Sequence, residues 1–358
     1  MGGAQARFCA VANHHGRALR HAIVALDGNL GCRERLDPGL DLRVVDLPPG
    51  KQNPLGTLRR LRAVLDAVRP DLLLTHNWGS IEWALANALP FGAGRARHVH
   101  VEDGFGPEER DRQIPRRVWA RRFALRRALV ALPSLVLLRL AREVWRLDAT
   151  RLRYVPNGVD LARYAPAGDA GPAPPVLAPW TLAGDGPVVG TVTGLRPEKN
   201  LGRLLHAVAR VPKLRLAIVG DGPERAALGA LAGTLGIAGR VAFAGHLPDP
   251  ASAYRHLDLF ALSSDTEQMP LSVLEAMAAG LPVAATAVGD VAAMVAAENA
   301  PFIVPRDAAA LAAALARLAD DAGLRGTVGA ANRAKAARDY DTATMFAAWG
   351  QLLGAAAG

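Results

Sequence analysis

Short apolar stretches alternate with amphipathic stretches of helical length along the first half of the chain. The alternation predicts helices over residues 4–14 and 55–68, and strands over residues 21–26, 42–47, 71–75 and 97–101. Strands and helices that follow one another in this way are typical of a parallel sheet covered by helices on both faces.

The second half repeats this pattern more clearly. Its strands are predicted over residues 187–192, 214–220, 240–245, 257–263 and 282–286, and its helices over residues 201–209, 224–235, 250–256 and 270–279. Between the halves, residues 165–187 are rich in Pro, Ala and Gly and lack periodicity, which is typical of a linker. We therefore predict domains at residues 1–165 and 166–340, followed by a last helix within residues 341–358.

Length and composition agree with two α/β domains. A chain of 358 residues is too long for one ordinary core. Its hydrophobic content of 51% and charged content of 21% allow both halves to bury a core, which excludes general disorder. Doubly wound, Rossmann-like domains bind ligands outside the carboxyl ends of their strands, so this architecture favours a nucleotide ligand.

Positive charge is concentrated in one segment. The net charge of the chain is +9, and residues 110–153 alone hold thirteen Arg against three acidic residues. Arg pairs alternate there with Trp119, Phe123 and other apolar residues, as in a basic amphipathic helix on an anionic membrane surface. A solvated Arg-rich face is the alternative. Nucleic acid is a poorer partner, because no zinc finger or aromatic RNA-binding motif accompanies the segment.

Location is inferred from what the sequence lacks. The start of the chain has no basic and then apolar run typical of a signal peptide, and no stretch approaches the ~20 apolar residues that a membrane span needs. Cys9 and Cys32 are the only cysteines, so neither a disulfide framework nor a paired-cysteine zinc site is predicted. We expect a cytoplasmic protein, with peripheral attachment to the inner face of the cell membrane through residues 110–153.

The most informative stretch is SSDTEQMPLSVLEAMAAGLPVAATAVGDV, residues 263–291. It predicts a strand end, a polar loop, and an apolar helix that has Pro270 at its first position and ends at Gly280. Unpaired amides and the helix dipole favour a phosphate at that helix start. Glu267 and Glu275 are eight positions apart, so one carboxylate lies beside the helix start and the other one to two turns along the helix.

This stretch resembles glycosyltransferase family 4, whose retaining GT-B enzymes carry two Glu separated by seven residues in the same context. The resemblance implies an α/β fold of two Rossmann-like domains facing across a cleft, with the last helix crossing back to the first domain. It also implies that Glu267 contacts the transferred sugar and Glu275 the ribose hydroxyls. The backbone that the resemblance places at the diphosphate belongs to Met269, Pro270, Leu271 and Ser272.

Two further motifs follow the order of the family. GTVTGLRPEKNLGRLLHA is similar to its basic loop, which implies that Lys199 neutralises the donor phosphates as a compact charge. Gly194 occupies the position at which the family usually has Arg, so Arg196 is the candidate substitute. The GDGPER motif implies a nucleotide beside the loop formed by Gly220, Asp221 and Gly222, whose glycines permit close approach.

Candidates in the first half are less well defined. HVHVEDG follows a predicted strand, and either His100 or Asp103 would occupy the place of the family's His near the reacting sugar; an Asp-Gly turn with surface charges is the alternative. His76 and Asn77 are candidates for the acceptor side of the site. The alternative is that the Trp residues of this segment only pack against other parts of the protein.

The first residues also resemble part of the family pattern. Gly2 and Gly3 match the glycine loop that follows the family's first strand and meets the donor phosphates. No strand precedes them in the sequence, and we therefore expect the natural start to lie upstream.

Together the motifs imply a retaining glycosyltransferase that moves a sugar from a nucleotide-diphosphate sugar to a glycan or lipid-linked acceptor in cell-surface polysaccharide biosynthesis. Charge on the leaving diphosphate would be stabilised by Lys199, Arg196, the Gly2–Gly3 amides and the helix start. No metal or other cofactor is expected, and we assign the Asp339 and Asp341 pair to helix capping. A non-catalytic nucleotide-sugar-binding protein and a GT-B epimerase or sugar phosphorylase are the alternatives. A dehydrogenase is disfavoured, since no GxGxxG fingerprint follows a first strand.

Overall fold

The computed structural model describes residues 3–26, 28, 30–47, 53–89, 95–105, 107–109, 112–166 and 185–355. The chain divides into two compact units. One unit comprises Met1–Pro156 and Met345–Gly358, and the other comprises Asn157–Thr344.

The first unit contains two parallel sheets. Strands β1 (His21–Ile23) and β2 (Leu42–Val44) form a pair, and β3 (Leu72–His76), β4 (Arg97–Val101), β5 (Leu129–Leu132) and β6 (Leu152–Tyr154) form a four-stranded sheet in sequence order. Its helices are α1 (Gly3–His15), α2 (Pro54–Val68), α3 (Ile81–Ala88), α4 (Pro115–Leu125) and α5 (Leu135–Glu143). The predicted elements are present, and β1 and β2 are shorter than expected.

Both faces of the four-stranded sheet of the first unit are covered. On one face, Val99 and Val101 pack with Val11 of α1 and with Trp349 of the last helix of the chain, Thr342–Ala355. On the other face, Val130 packs with residues of α3, α4 and α5. This double cover explains why β5 is wholly apolar, as expected of a parallel strand buried on two sides, and why Val99, His100 and Val101 of β4 are buried.

The second unit contains a six-stranded parallel sheet. Its strands are β7 (Val188–Val192), β8 (Arg215–Val219), β9 (Val241–Gly245), β10 (Leu259–Leu262), β11 (Val283–Thr286) and β12 (Ile303–Val304), and their spatial order is β12-β11-β10-β7-β8-β9. The strand order reverses between β7 and β10. Such a reversal is where doubly wound sheets bind their ligands, so the loops after β7 and β10 are expected to form the site.

Eight helices accompany these strands within the described residues. They are α6 (Leu201–Ala209), α7 (Arg225–Thr234), α8 (Ala251–Tyr254), α9 (Leu271–Ala278), α10 (Val291–Met294), α11 (Ala308–Asp320), α12 (Ala322–Asp339) and α13 (Thr342–Ala355), the last of which lies mainly in the first unit. Asp341 Oδ1 accepts a hydrogen bond of 2.7 Å from the Ala343 amide at the start of α13, the capping role expected of it. None of the described helices combines the length and hydropathy that a membrane span requires.

The division between the units falls earlier than residue 165. It lies after Pro156, because residues 157–164 form hydrogen bonds with other residues of the second unit. The Val159 amide donates to the Tyr340 carbonyl at 2.8 Å, and the Asn157 side chain donates to the Met269 carbonyl at 3.0 Å. Most of the predicted linker, residues 167–184, and Gly2 of the predicted glycine loop lie outside the described residues. Gly3 is the first residue of α1 instead of part of a loop between strand and helix.

Candidate active site

Two loops of the second unit meet at the reversal of its strand order. Residues 193–200 follow β7, and residues 263–270 follow β10. The Asp265 amide donates to the Glu198 carbonyl at 2.9 Å, and Ser263 Oγ donates to the Lys199 carbonyl at 3.0 Å. These bonds hold together the two segments that carry the family resemblance.

Lys199 and Glu267 form an ion pair across these loops. Lys199 Nζ lies 2.6 Å from Glu267 Oε1, and Ser264 Oγ donates to the same oxygen at 2.8 Å. The two charged side chains are 16% and 12% exposed, so solvent reaches both of them. The structure therefore brings together a cation and a carboxylate that are 68 positions apart in sequence.

A second ion pair fixes the loop that carries Glu267. Arg203 of α6 donates to Asp265 Oδ1 at 2.6 Å and to the Ser263 carbonyl at 2.7 Å. Asn200, in the left-handed region with φ of 43°, donates to Asp265 and accepts from the Arg203 amide at the start of α6. The sequence analysis did not identify Arg203, Asp265 or Asn200 as site residues, although an Asn directly before a helix is a recognisable capping signal.

Gly289 supports the same loop from a third segment. Its φ is +51°, and a Cβ atom built on it would lie 2.3 Å from the Glu267 carbonyl oxygen and 2.6 Å from that of Gln268. The neighbouring Asp290 amide donates to the Gln268 carbonyl at 2.8 Å. Only glycine permits this approach without strain, and sequence reasoning did not identify it.

The glycines of the GDG motif serve the loop after β7. A Cβ atom on Gly220 would lie 1.8 Å from the Thr193 carbonyl oxygen, and one on Gly222 would lie 2.5 Å from that of Leu195. The exposed Asp221 accepts from the Leu195 amide through its own carbonyl, at 3.0 Å. Close packing between two loops is thus a sufficient reason for both glycines, and their close approach to a nucleotide stays a prediction.

Arg196 lies near the position at which the family arginine would stand. Its side chain is 58% exposed, and its Nε atom is 3.1 Å from Glu198 Oε1. A Cβ atom on Gly194 would lie 3.4 Å from the same Nε atom. The guanidinium group of Arg196 therefore folds back toward residue 194.

The helix start that carries the predicted phosphate site begins one residue later than expected. Pro270 is the N-cap residue of α9, with extended backbone, and Leu271 is the first helical residue. Leu271 and Ser272 are partly exposed, whereas Met269 is buried and accepts from the Asn157 amide through its Sδ atom at 3.2 Å. The first turn of α9 thus starts four residues after Glu267.

Glu275 lies on α9 between two tyrosines. Tyr164 donates to Oε1 at 2.9 Å, and Tyr254 donates to Oε2 at 2.6 Å. Burial raises the pKa of the Glu275 carboxyl, and the two tyrosine hydroxyls oppose this increase. Sequence reasoning identified Glu275 but neither tyrosine.

The two candidates in the first unit differ in accessibility. His100 is fully buried within β4, and its Nδ1 lies 2.8 Å from Thr75 Oγ1, which leaves Asp103 as the accessible one of the two alternatives. Asp103 forms an ion pair with Arg7 and remains 17% exposed. The Asp103 amide donates to Asn77 Oδ1 at 2.7 Å, which places Asn77 beside it.

The basic segment of the first unit is not one amphipathic helix. It contains α4, β5 and α5, and Arg121 of α4 is buried, where it donates to Glu102 and Glu109. Trp119 and Phe123 of the same helix are 65% and 56% exposed. They line an open groove of about 380 Å³ together with Arg122, Arg126, Arg146, Leu147 and Asp148.

Comparisons with known proteins cover both units. The family model "Glycosyltransferase Family 4" matches residues 1–163, and the model "Glycosyl transferases group 1" matches residues 186–321. Over 322 residues the chain is 33% identical to the 2-deoxystreptamine N-acetyl-D-glucosaminyltransferase of Streptomyces fradiae, covering 81% of this chain and 75% of that protein.

Other similarities are more local or structural. The chain is 40% identical over 102 residues to the lipopolysaccharide core biosynthesis glycosyltransferase LpsE of Rhizobium meliloti, covering 28% of this chain and 30% of LpsE. HepE of Anabaena, solved in complex with UDP, superposes with a TM-score of 0.83 at 21% identity, covering 99% of this chain and 96% of HepE. These findings establish the two-domain GT-B fold, and the chain belongs to glycosyltransferase family 4, the group 1 glycosyl transferases.

Proposed function

We propose that this glycosyltransferase moves a sugar from a nucleotide-diphosphate sugar to a glycan or lipid-linked acceptor, with retention of anomeric configuration, in cell-surface polysaccharide biosynthesis. The 2.6 Å pair between Lys199 and Glu267, on the loop that leads into α9, carries this proposal. It offers a cation for a diphosphate and a carboxylate for sugar hydroxyls. The UDP bound to HepE and the lipopolysaccharide role in the name of LpsE support the donor class and the pathway class.

In the proposed reaction, the bond between the sugar and the diphosphate breaks, and negative charge grows on the leaving diphosphate. Lys199, the first-turn amides of α9 and the exposed guanidinium group of Arg196 would stabilise that charge. Lys199 is paired with Glu267, so in the proposal the donor phosphates attract Lys199 while the sugar hydroxyls donate to Glu267. These side chains replace a metal ion in the proposal.

On the acceptor side we assign Asp103 instead of His100. Asp103 is partly exposed and is held in place by Arg7 and Asn77, whereas His100 is fully buried. His76, near Asp103, stays neutral at physiological pH, because burial and the charge of Arg7 lower its pKa to about 4. A neutral imidazole and a carboxylate suit recognition of acceptor hydroxyls.

The first experiment is a donor panel of UDP-, GDP- and ADP-sugars. Thermal stabilisation and slow release of nucleotide are measured for the wild type, Lys199→Ala and Glu275→Ala. One donor should stabilise the wild type and release nucleotide, and both effects should be lost in the two variants.

Lys213→Ala provides the matched control, because Lys213 forms a surface ion pair with Asp320. It should behave as the wild type. A wild type that binds a donor but neither hydrolyses nor transfers it would contradict the catalytic proposal and support a binding protein. Full activity of Lys199→Ala would contradict the assigned role of Lys199.

We also propose that the exposed part of the basic segment attaches the protein to the inner face of the cell membrane. The rings of Trp119 and Phe123 are exposed, and the guanidinium groups of Arg122 and Arg126 lie 4.7 Å and 4.1 Å from the respective ring centres. Aromatic side chains next to cations suit the interface of an anionic bilayer.

Sedimentation with vesicles tests this attachment. The wild type should bind phosphatidylglycerol-containing vesicles and not vesicles of phosphatidylcholine alone, and a variant with Trp119→Ala and Phe123→Ala should bind less. Leu55→Ala is the control, since Leu55 is 68% exposed on α2 of the same unit. Equal binding by the double variant would refute the surface.

A further inference from the structure

Each oxygen of the Glu275 carboxylate has one tyrosine partner. Tyr164 OH lies 2.9 Å from Oε1, and Tyr254 OH lies 2.6 Å from Oε2. An ionised carboxylate has about four acceptor positions, two on each oxygen. Within the described residues the two tyrosines are the donors to this carboxylate, so one acceptor position remains on each oxygen, which matches the two donors of a vicinal diol.

The two tyrosines are themselves fixed. Tyr164 is 6% exposed and Tyr254 is 1% exposed, and their rings meet edge to face with centres 5.5 Å apart. Tyr254 also stacks on Phe260 of β10, with ring centres 5.9 Å apart. Burial and the nearby Glu275 charge raise the pKa of both phenols, so both hydroxyls stay protonated and donate.

We infer that Tyr164 and Tyr254 are positioning residues that orient the Glu275 carboxylate to accept two hydroxyls of the donor ribose. The inference rests on the proposed function and on the ribose contact that the family resemblance implies for Glu275. It predicts selectivity for ribonucleotides over 2′-deoxyribonucleotides, because a 2′-deoxyribose supplies one hydroxyl fewer to a site built for two.

The test compares the binding of UDP, GDP and ADP with that of their 2′-deoxy counterparts by calorimetry. The wild type should prefer the ribonucleotide by about tenfold or more, since a missing hydroxyl leaves a charged acceptor position unpaired. Tyr164→Phe and Tyr254→Phe keep the rings and remove the hydroxyls. Each variant should weaken ribonucleotide binding by about tenfold, the effect of one hydrogen bond to a charged group, and should reduce the preference.

A pH series separates positioning from mere structural support. Arg163 and Asp249, which pair with each other at 2.8 Å, act on Glu275 through their charges. Arg333 of α12 donates to the Ala278 carbonyl at the end of the same helix, α9. Removing a tyrosine hydroxyl removes a bond that favours the ionised carboxyl, so affinity should be lost at a higher pH than in the wild type. The nucleotide's own phosphate titration is common to all proteins in the series, so the difference reports on Glu275.

Tyr340→Phe is the matched control, because Tyr340 is also largely buried in the second unit and its ring lies near Lys335. It should keep the wild-type selectivity and pH midpoint. A wild type that binds ribo- and 2′-deoxyribonucleotides equally would overturn the inference without any variant, as would tyrosine variants with unchanged selectivity and midpoint. A wild type that binds no nucleotide would overturn the proposed function itself, and this inference with it.

Discussion

Replacement of Gly289 by Ala tests the support of the Glu267 loop. An Ala at φ of +51° costs about 1–2 kcal/mol for the left-handed backbone. Its Cβ would lie 2.3 Å from the Glu267 carbonyl oxygen, and relief of such a backbone clash costs about a further 1–3 kcal/mol. The loop must move to relieve it, and Glu267 would move with its own backbone.

A substitution at Gly236 allows the cost of the left-handed backbone to be separated from the cost of the clash at residue 289. The φ of Gly236 is +69°, and a Cβ atom there would meet none of the described residues within 4 Å, so Gly236→Ala incurs the cost of the left-handed backbone alone. Chemical denaturation should therefore show Gly289→Ala to be less stable than Gly236→Ala by about 1–3 kcal/mol, and donor hydrolysis should fall in Gly289→Ala only. Equal stability of the two variants, together with full hydrolysis by Gly289→Ala, would refute the reasoning.

Three further predictions concern charge and protonation. Arg196→Ala should lower kcat/KM for the donor by about tenfold or more, as loss of a charge-stabilising group does. Adding Gly194→Arg should restore part of the activity, because among the described residues a Cβ atom on Gly194 would meet only the Arg196 side chain at 3.4 Å and the Asp221 carbonyl at 3.9 Å. No recovery would argue against the substitution of one arginine for the other. Donor hydrolysis should survive dialysis against EDTA, since Lys199 and Arg196 serve the diphosphate; loss that Mg²⁺ or Mn²⁺ restores would contradict a metal-free mechanism. Acidification from about pH 6.5 toward pH 4 should destabilise the first unit, because burial lowers the pKa of His98 to about 3 and that of His76 to about 4. The unfolded chain therefore takes up protons at a higher pH than the folded chain does. Denaturation at several pH values measures this loss of stability, and His98→Gln should make stability depend less on pH.

The sequence predicted the second unit better than the first for a physical reason. Strands such as Val188–Val192 and Leu259–Leu262 are buried runs of apolar residues between clear turn signals, and they stand out without knowledge of their neighbours. Lys199 and Glu267 were found because each lies in a local motif. The motifs themselves predict the loops, and the parallel sheet then brings the loops to one edge.

The first unit shows where local pattern fails. His100 lies on β4, between β3 and β5 in a sheet covered on both faces. It is buried because neighbouring elements cover it, and the local sequence around it does not indicate this burial. Arg121 belongs to a segment that reads as a charged surface, yet it is 1% exposed because two carboxylates and the Trp78, Phe105 and Trp145 rings surround it. Burial of such groups depends on partners distant in sequence, which periodicity does not report.

The residues that the sequence missed have one property in common. Arg203 and Asp265 are 62 positions apart, and Tyr164 and Glu275 are 111 positions apart. They orient side chains that the motifs had already assigned to the donor. A local motif indicates which side chain is a candidate to contact the ligand. The residue that orients that side chain lies far away in sequence and becomes a neighbour only in the folded protein. Variants of Tyr164 and Arg203 should therefore change the geometry of donor binding while Glu275 and Glu267, the groups that we propose to contact the donor, remain in the chain.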